Sequence, residues 1–302
     1  MSKTLLFTAI ASLAPALACL AQNPGPEALA QVEIRAERVG EGLYVLFGAG
    51  GNIAVSFGEQ GVLLVDTQFP ELAPKIRARI RELGGGEIDF AINTHWHYDH
   101  AEGNLGLGPE GVWFIAQAES RRRLTIDNVI DPMVRPAFPQ PAYPIAALPI
   151  ATFEERMEIY YNGERIDLMH FGPAHTAGDA AVFFRAHNAV HMGDIFTAGG
   201  YPFIDADNGG DIDGTIAFCR AVLAELEAGA TVIPGHGAIA RYADLARFTE
   251  MLESVRNRIA DLIAMGASLE QVIAARPTAD WDSEFGGDAN RLIDRAYVTL
   301  SR

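Results

Sequence analysis

The sequence predicts an α/β domain with two β-sheets inside and helices outside. Two successive halves of the chain each read as a group of strands followed by a helix, a pattern typical of sheet layers covered by helices. The chain has 302 residues, of which 49% are hydrophobic and 21% are charged. It is therefore long enough to bury a substantial core.

The first half opens with short strands over residues 32–69, which are rich in Val, Leu and Ile and are broken by glycine-containing turns. Residues 70–86 predict an amphipathic helix, because a proline lies near the start and glycines follow the end. The segment IDFAINT (88–94) is predicted as a buried strand. It leads directly into a histidine-rich segment.

The second half begins with a predicted strand at residues 112–117. Six of the 16 prolines then fall within residues 131–150, which predicts a long irregular loop of the kind that forms lids and binding loops. The remaining predicted elements are strands at 165–172, 180–186, 189–194 and 230–237, a helix at 215–228 and a run of helices from about residue 241.

Residues 1–21 are predicted to be a signal peptide. Lys3 is the only charged residue before Glu27, and an apolar run that ends in small residues follows it. Pro15 interrupts this run, so export to the periplasm is favoured over a permanent membrane helix. A buried N-terminal helix is the alternative.

A linker at residues 22–31 and a single domain over residues 32–302 are expected to follow. Cys19 ends a segment, ALAC, that loosely resembles a lipoprotein box, so lipid anchoring at Cys19 is the alternative to a free periplasmic form. Removal of Cys19 with the signal leaves Cys219 alone, which excludes an intrachain disulfide. Stability must then come from the core or from bound metal.

The net charge of −16 argues against nucleic acid as a partner, because an acidic surface repels phosphates. A small-molecule substrate is the expected partner. The sequence indicates no stable membrane span and no partner protein.

Four metal-seeking side chains lie within six positions of the segment NTHWHYDHAEGN (93–104): His95, His97, Asp99 and His100. They follow a predicted strand, where ligands converge in α/β folds. Imidazole and carboxylate suit zinc, with iron or manganese also possible. Six residues do not easily surround one tetrahedral ion, so we expect them to contribute two ligands to each of two ions.

Three further candidates each occupy the turn after a predicted strand: His175, Asp194 and His236. Together with the first four they make seven ligands, enough for two ions that share one bridging carboxylate.

This ordered motif resembles that of the metallo-β-lactamase superfamily over roughly residues 32–240. The resemblance implies a four-layer αββα sandwich with a dinuclear site at one edge of the paired sheets. It implies that His95, His97 and His175 hold the first zinc, and that the second is held by Asp99, His100 and His236, with Asp194 bridging. LLVDTQF also matches, which places Asp66 beside the cluster as a residue that orients a ligand histidine. Tyr98, between two ligands, is a candidate for the wall of the substrate pocket.

The motif departs from the β-lactamases proper. One large subclass has cysteine where Asp194 stands and usually a lysine where Thr197 stands, and a second keeps the histidine at His100 but lacks the bridging aspartate. The full set here is more similar to glyoxalase II and related hydrolases.

The implied activity is that of an exported dizinc hydrolase. Two zinc ions about 3.5–4 Å apart would provide a bridging hydroxide at neutral pH, which would attack the carbonyl of a small ester, thioester, lactone or β-lactam-like amide. Asp99 would act as the catalytic residue that orients the hydroxide and carries its proton. A periplasmic class B β-lactamase proper, or an iron-dependent thiol or persulfide dioxygenase of the same fold, are the alternatives.

Overall fold

The structure, a computed structural model, describes residues 25–133 and 137–302. The predicted signal peptide and Cys19 lie outside these residues. Within them the strands, in chain order, are β1 (Arg35–Gly40), β2 (Leu43–Phe47), β3 (Ile53–Gly58), β4 (Gly61–Val65), β5 (Ile88–Asn93), β6 (Trp113–Gln117), β7 (Asn128–Ile130), β8 (Phe138–Gln140), β9 (Ala151–Phe153), β10 (Arg156–Tyr161), β11 (Glu164–Met169), β12 (Ala181–Phe184), β13 (Ala189–His191), β14 (Thr231–Ile233) and β15 (Ala240–Arg241). The α-helices are α1 (Pro26–Ala30), α2 (Ala73–Glu82), α3 (Tyr98–Ala101), α4 (Asn104–Leu107), α5 (Ala118–Leu124), α6 (Ile212–Glu225), α7 (Tyr242–Ala264), α8 (Leu269–Ala274) and α9 (Ala289–Leu300).

The strands form two large sheets and one small hairpin. The first sheet has the order β1-β2-β3-β4-β5-β6-β9, and the second has the order β10-β11-β12-β13-β14-β15. Strands β4, β5, β6 and β9 run parallel to one another, as do β13 and β14. The carboxyl ends of β5, β13 and β14, together with that of β11, carry the loops that build the site described below.

The packing confirms the predicted four-layer arrangement. On β4, Leu63 and Val65 pack between the sheets against residues of the second sheet such as Leu168 and Val182. The alternate residues of β4 point to the opposite face and pack under α2, as the two-residue periodicity of a strand requires. The outer face of the second sheet is covered by α6, α7 and α9. The layers are therefore helix, sheet, sheet and helix.

Several segments differ from the elements that the sequence predicts, since β9 and β10 lie where no strand is predicted. Residues 131–150 are not irregular throughout, because β8 pairs antiparallel with β7; Pro136 lies outside the described residues. Part of the predicted linker is helical: α1 places Leu29 in the core at 2% exposure. The Lys75 ammonium on α2 donates to the carbonyl oxygens of Ala30 and Val32 at 2.6 and 2.7 Å, which fixes this segment against the domain.

The helical run begins at Tyr242, at the position that the sequence predicts. Among the helices of the described residues, none has the length and apolar character needed to cross a membrane.

Candidate metal centre

All seven predicted ligand side chains meet at one edge of the paired sheets. The segment after β5 carries His95 and His97, and the one-turn helix α3 carries Asp99 and His100. The remaining three lie on the loops after β11, β13 and β14 of the second sheet: His175, Asp194 and His236. The structure thus brings together, from both sheets, every residue that the sequence predicts as metal-binding.

The first group is made of three histidines. One nitrogen of each of His95, His97 and His175 lies within 4.8 Å of the others, and His175 Nε2 is 2.9 Å from His97 Nδ1. The three rings meet nearly at right angles. His95 Nε2 is buried and has no hydrogen-bond partner among the described residues. Because buried polar atoms are normally paired, convergent imidazole nitrogens with one left unpaired fit the requirements of a zinc ion.

The second group adds two carboxylates. His100 Nε2 lies 3.2 Å from His236 Nε2, and Asp99 Oδ2 lies 3.3 Å from the same atom of His236. Asp194 Oδ1 is 3.0 Å from His100 Nε2, and its second oxygen is 3.8 Å from His175 Nε2. Asp194 therefore faces both groups, which is where a bridging carboxylate would have to lie.

Two histidines of the first group, His95 and His175, are held in the neutral form. Burial, together with the neighbouring histidines, lowers the pKa of His95 well below its ordinary value, and burial lowers that of His175 to about 4. Burial also acts to lower the pKa of His100, but the carboxylates of Asp194 and Asp66 raise it well above its ordinary value. Since metal ligation requires deprotonated nitrogen, His95 and His175 are prepared to bind an ion without first losing a proton.

Asp66 contacts His100 on the side opposite to the other ligands. Its Oδ2 lies 2.7 Å from His100 Nδ1, and its two oxygens accept from the backbone N–H and the hydroxyl of Thr94. Its backbone is left-handed, with φ of 67°, a conformation that costs of order 1–3 kcal/mol in a non-glycine residue. Because Asp66 contacts Nδ1 of His100, the other ring nitrogen, Nε2, faces Asp194 at 3.0 Å.

Asp205 is a site residue that the sequence does not reveal. It lies in the segment after Asp194, is 1% exposed, and its Oδ2 is 2.9 Å from His97 Nε2. Burial acts to raise its pKa, but the hydrogen bond with His97 keeps it below the ordinary value. Asn208 donates its side-chain N–H to both oxygens of Asp205, at 3.0 and 2.8 Å. The sequence DADN (205–208) indicates that an aspartate begins a helical turn. The same pattern is equally typical of a solvated turn, so it does not identify Asp205 as a partner of His97.

Two neighbours of the ligands have separate roles. The ring of Tyr98 contacts Phe69 and Phe138, with ring centroids 5.9 and 4.8 Å apart. His191 is buried and structural: its Nε2 donates to the carbonyl oxygen of Asn52, and its Nδ1 accepts from the N–H of Gly193.

A family model described as the metallo-beta-lactamase superfamily matches residues 48–247, two thirds of the chain and all seven candidate ligands. The chain belongs to the metallo-beta-lactamase superfamily. Members of this superfamily are generally hydrolytic metalloenzymes, and the His/Asp groups described above are where this member can hold metal.

Solved structures of the superfamily share the fold. DIM-1 metallo-beta-lactamase aligns with a TM-score of 0.57 at 20% identity, covering 74% of this chain and 99% of that protein. A metallo-beta-lactamase from Pontibacter korlensis aligns with a TM-score of 0.60 at 14% identity, covering 73% of this chain and 99% of that protein. Identities this low extend the likeness to the fold and no further.

One curated relative is similar in sequence. The alpha subunit of 2,4-dinitroanisole O-demethylase from Nocardioides sp. (strain JS1661) is 26% identical over 153 residues, which are 49% of this chain. The alignment spans 42% of that subunit.

Proposed function

We propose that this protein is a dizinc hydrolase, exported to the periplasm, that cleaves a small ester, thioester, lactone or β-lactam-like amide. The observation that carries the proposal is the position of Asp194, whose two oxygens lie 3.0 Å from His100 Nε2 and 3.8 Å from His175 Nε2. The Asp194 carboxylate lies between the group of His95, His97 and His175 and the group of Asp99, His100 and His236. Each group can hold one ion.

His95, His97 and His175 would hold the first ion, and the second would be held by Asp99, His100 and His236, with Asp194 shared. When bound, zinc supplies Lewis acidity, which polarises a carbonyl oxygen and lowers the pKa of water toward about 7. The chain supplies the fixed directions of its ligand nitrogens and a proton acceptor, the Asp99 carboxylate. Asp99 is a suitable acceptor because it is at the surface of the cluster, with a side chain that is 12% exposed.

Among the residues that the structure describes, the one cysteine, Cys219, does not support nucleophilic catalysis by a thiol. Cys219 lies on α6 with no exposed surface, and burial raises its pKa to about 12, so it is protonated and inaccessible. The nucleophile that we propose is therefore a water-derived oxygen and not this thiol.

The test has two parts. Metal analysis of protein purified with both zinc and iron available is expected to give about two zinc ions per chain; about one iron and no zinc would favour the dioxygenase alternative. The zinc-loaded protein is then assayed against β-lactams, lactones, thioesters and carboxylic esters, with phosphoesters as the control class. The name of the curated relative makes an activated aryl methyl ether a useful addition. Two bound zinc ions without hydrolysis of any carbonyl substrate would contradict the proposal.

A further inference from the structure

A path of hydrogen bonds leads from the first group of ligands to the helix α5. His97 Nε2 lies 2.9 Å from Asp205 Oδ2, and the side-chain amide nitrogen of Asn208 donates to both Asp205 oxygens. The oxygen of the same amide, Asn208 Oδ1, accepts from Arg123 Nη1 at 2.8 Å. Arg123 lies on α5, so a helix that carries none of the seven candidate ligands is connected to one of them.

The donors and acceptors along this path allow one arrangement. A guanidinium only donates and a carboxylate only accepts, so the Asn208 amide must turn its oxygen to Arg123 and its nitrogen to Asp205. Asn208 Nδ2 also donates to the Val129 carbonyl oxygen at 3.1 Å, which a flipped amide could not do. The Asp205 carboxylate is then placed to accept from His97 Nε2. The proton of a neutral His97 ring therefore lies on Nε2, and Nδ1 carries the lone pair that an ion needs.

Two neighbours hold the Arg123 guanidinium in place. Glu119 accepts from its Nε at 3.2 Å across one turn of α5, and the guanidinium carbon lies 5.9 Å from the centre of the Trp96 ring, at the distance of a cation–π contact. The Trp96 ring is fully buried, and the Arg123 side chain is 19% exposed. The guanidinium is therefore fixed between these neighbours, with Nη1 on Asn208 rather than in water.

Loss of Arg123 would disturb groups that have little contact with bulk water. Asp205 and Asn208 are both buried, and a buried polar group that loses its partner costs free energy. Without the guanidinium, Asn208 Oδ1 loses the donor that holds it, and the amide no longer has a fixed position from which to hold the Asp205 carboxylate. The direction of the His97 ring would then be fixed less tightly.

We propose that Arg123 is a positioning residue of the metal centre, which acts through Asn208 and Asp205 to hold His97 with Nδ1 toward the first ion. The inference rests on the metal-binding part of the proposed function and does not depend on which substrate the protein cleaves. It adds α5 to the parts of the fold on which the metal centre depends.

Zinc competition against a chromophoric chelator, with the full chain, tests the proposal. Arg123→Met keeps an apolar stem and removes the donors and the charge. We expect it to weaken one of two zinc sites about tenfold, the lower end of the range for loss of an outer partner of a ligand histidine. Arg122→Met is the matched control, because Arg122 is the preceding residue on α5, pairs with the same Glu119 carboxylate at 2.6 Å and is 54% exposed. For this control we expect a change of less than about twofold.

The two substitutions remove the same charge, so their comparison separates a local effect from a long-range one. In a protein with a net charge of −16, loss of a positive charge by itself favours the binding of a cation. A weaker zinc site in Arg123→Met alone therefore has the opposite sign to the charge effect. Zinc affinities of Arg123→Met that equal those of Arg122→Met would overturn the proposal.

A double-mutant cycle with Asp205→Asn shows whether Arg123 acts through the path. In the Asp205→Asn background we expect Arg123→Met to change zinc affinity less than about twofold, because residues in one hydrogen-bond network are not additive and the path to His97 is already broken. A further tenfold loss in that background would show an independent structural effect and refute the assignment.

Proton NMR of the zinc-loaded protein reports on the path directly. The proton on His97 Nε2, identified by its loss or shift in Asp205→Asn, is expected to exchange with water about 2–10-fold faster in Arg123→Met than in Arg122→Met, the change that corresponds to one hydrogen bond. Equal exchange rates in the two variants would contradict the proposal.

Circular dichroism establishes that the variants are folded; if Arg123→Met is not, Arg123→Gln is compared with Arg122→Gln by the same criteria. All of these measurements report metal binding and not turnover. Two bound zinc ions without hydrolysis would refute the proposed function and leave this inference standing. Equal zinc affinities of the paired variants in an active hydrolase would refute this inference alone.

Discussion

Replacement of Asp205 by asparagine is expected to weaken metal binding at the first group of histidines. Asp205 Oδ2 accepts from His97 Nε2 at 2.9 Å, while its Oδ1 accepts from the backbone N–H and the side chain of Asn208. An asparagine amide nitrogen must replace one of these oxygens. In either orientation it sets a donor against a donor, at His97 or at Asn208.

The size of the effect follows from these contacts. The substitution removes a charge-assisted hydrogen bond at a residue that is 1% exposed, and such bonds contribute about 1.5–3 kcal/mol. Loss of an outer hydrogen bond to a ligand histidine typically lowers metal affinity about 10–100-fold, which corresponds to about 1.4–2.7 kcal/mol. The two ranges agree.

Zinc competition against a chromophoric chelator measures the affinity of each site. We expect Asp205→Asn to weaken one of two zinc sites about 10–100-fold, and activity to return at saturating zinc. Asp207→Asn is the control, because Asp207 is an exposed residue on the same loop that pairs with Arg295 at 2.8 Å. Zinc affinities in Asp205→Asn that match those of Asp207→Asn and of the unmodified protein would refute the reasoning.

Three further predictions concern separate parts of the chain. Asp99→Asn is expected to lower kcat about 10²–10⁴-fold at saturating zinc, measured with the best substrate of the hydrolysis panel; unchanged turnover would show that Asp99 carries no proton. The hydrogen bond with Glu164 raises the pKa of His187. The protonated imidazole therefore adds its whole contribution to the free energy of unfolding below about pH 6.5, and this contribution is lost as pH rises through the raised pKa. Thermal unfolding should therefore show His187→Gln to be destabilised more at about pH 5.5 than at about pH 8, and the opposite order would contradict this. Cys219 should resist a thiol reagent at about pH 8 in folded protein and react after unfolding, as followed by peptide mass spectrometry, because burial raises its pKa to about 12; stoichiometric labelling of folded protein would be the contrary result.

The candidate ligands could be found from the sequence because their signals are local. His95, His97, Asp99 and His100 lie in six positions directly after a strand. His175, Asp194 and His236 each stand within two residues of glycine or proline after an apolar run, and alternating periodicity locates such runs. Strands that run in the same direction bring their carboxyl ends to one edge of a sheet, and β11, β13 and β14 share one direction.

The surroundings of the ligands could not be predicted in the same way. Asp205 meets His97 across 108 residues of chain, and nothing in DADN distinguishes a buried partner from a solvated turn. The packing around Tyr98 depends on β8, in a proline-rich segment that predicts an irregular loop, because Phe138 on β8 contacts the Tyr98 ring. β8 pairs with β7, and Gln140 lies opposite Asn128 in that pairing. Such contacts are set by tertiary packing, which local propensity does not record.

The outer partners determine which nitrogen of each ligand is available. His97 Nε2 is occupied by Asp205, so Nδ1 is the atom that faces His175. In His175 the assignment is reversed, because Nδ1 lies 2.6 Å from the Phe203 carbonyl oxygen and Nε2 is left for the cluster.

His100 resembles His175 in this respect, because Asp66 contacts its Nδ1 and its Nε2 is left for the cluster. Each ring is therefore fixed in one tautomer by a group that is itself buried or part of the backbone. The ligand directions are consequently a property of the folded chain and do not have to be imposed by the ion. With two ions held as proposed, metal affinity should respond to Asp66 through His100 and to Asp205 through His97.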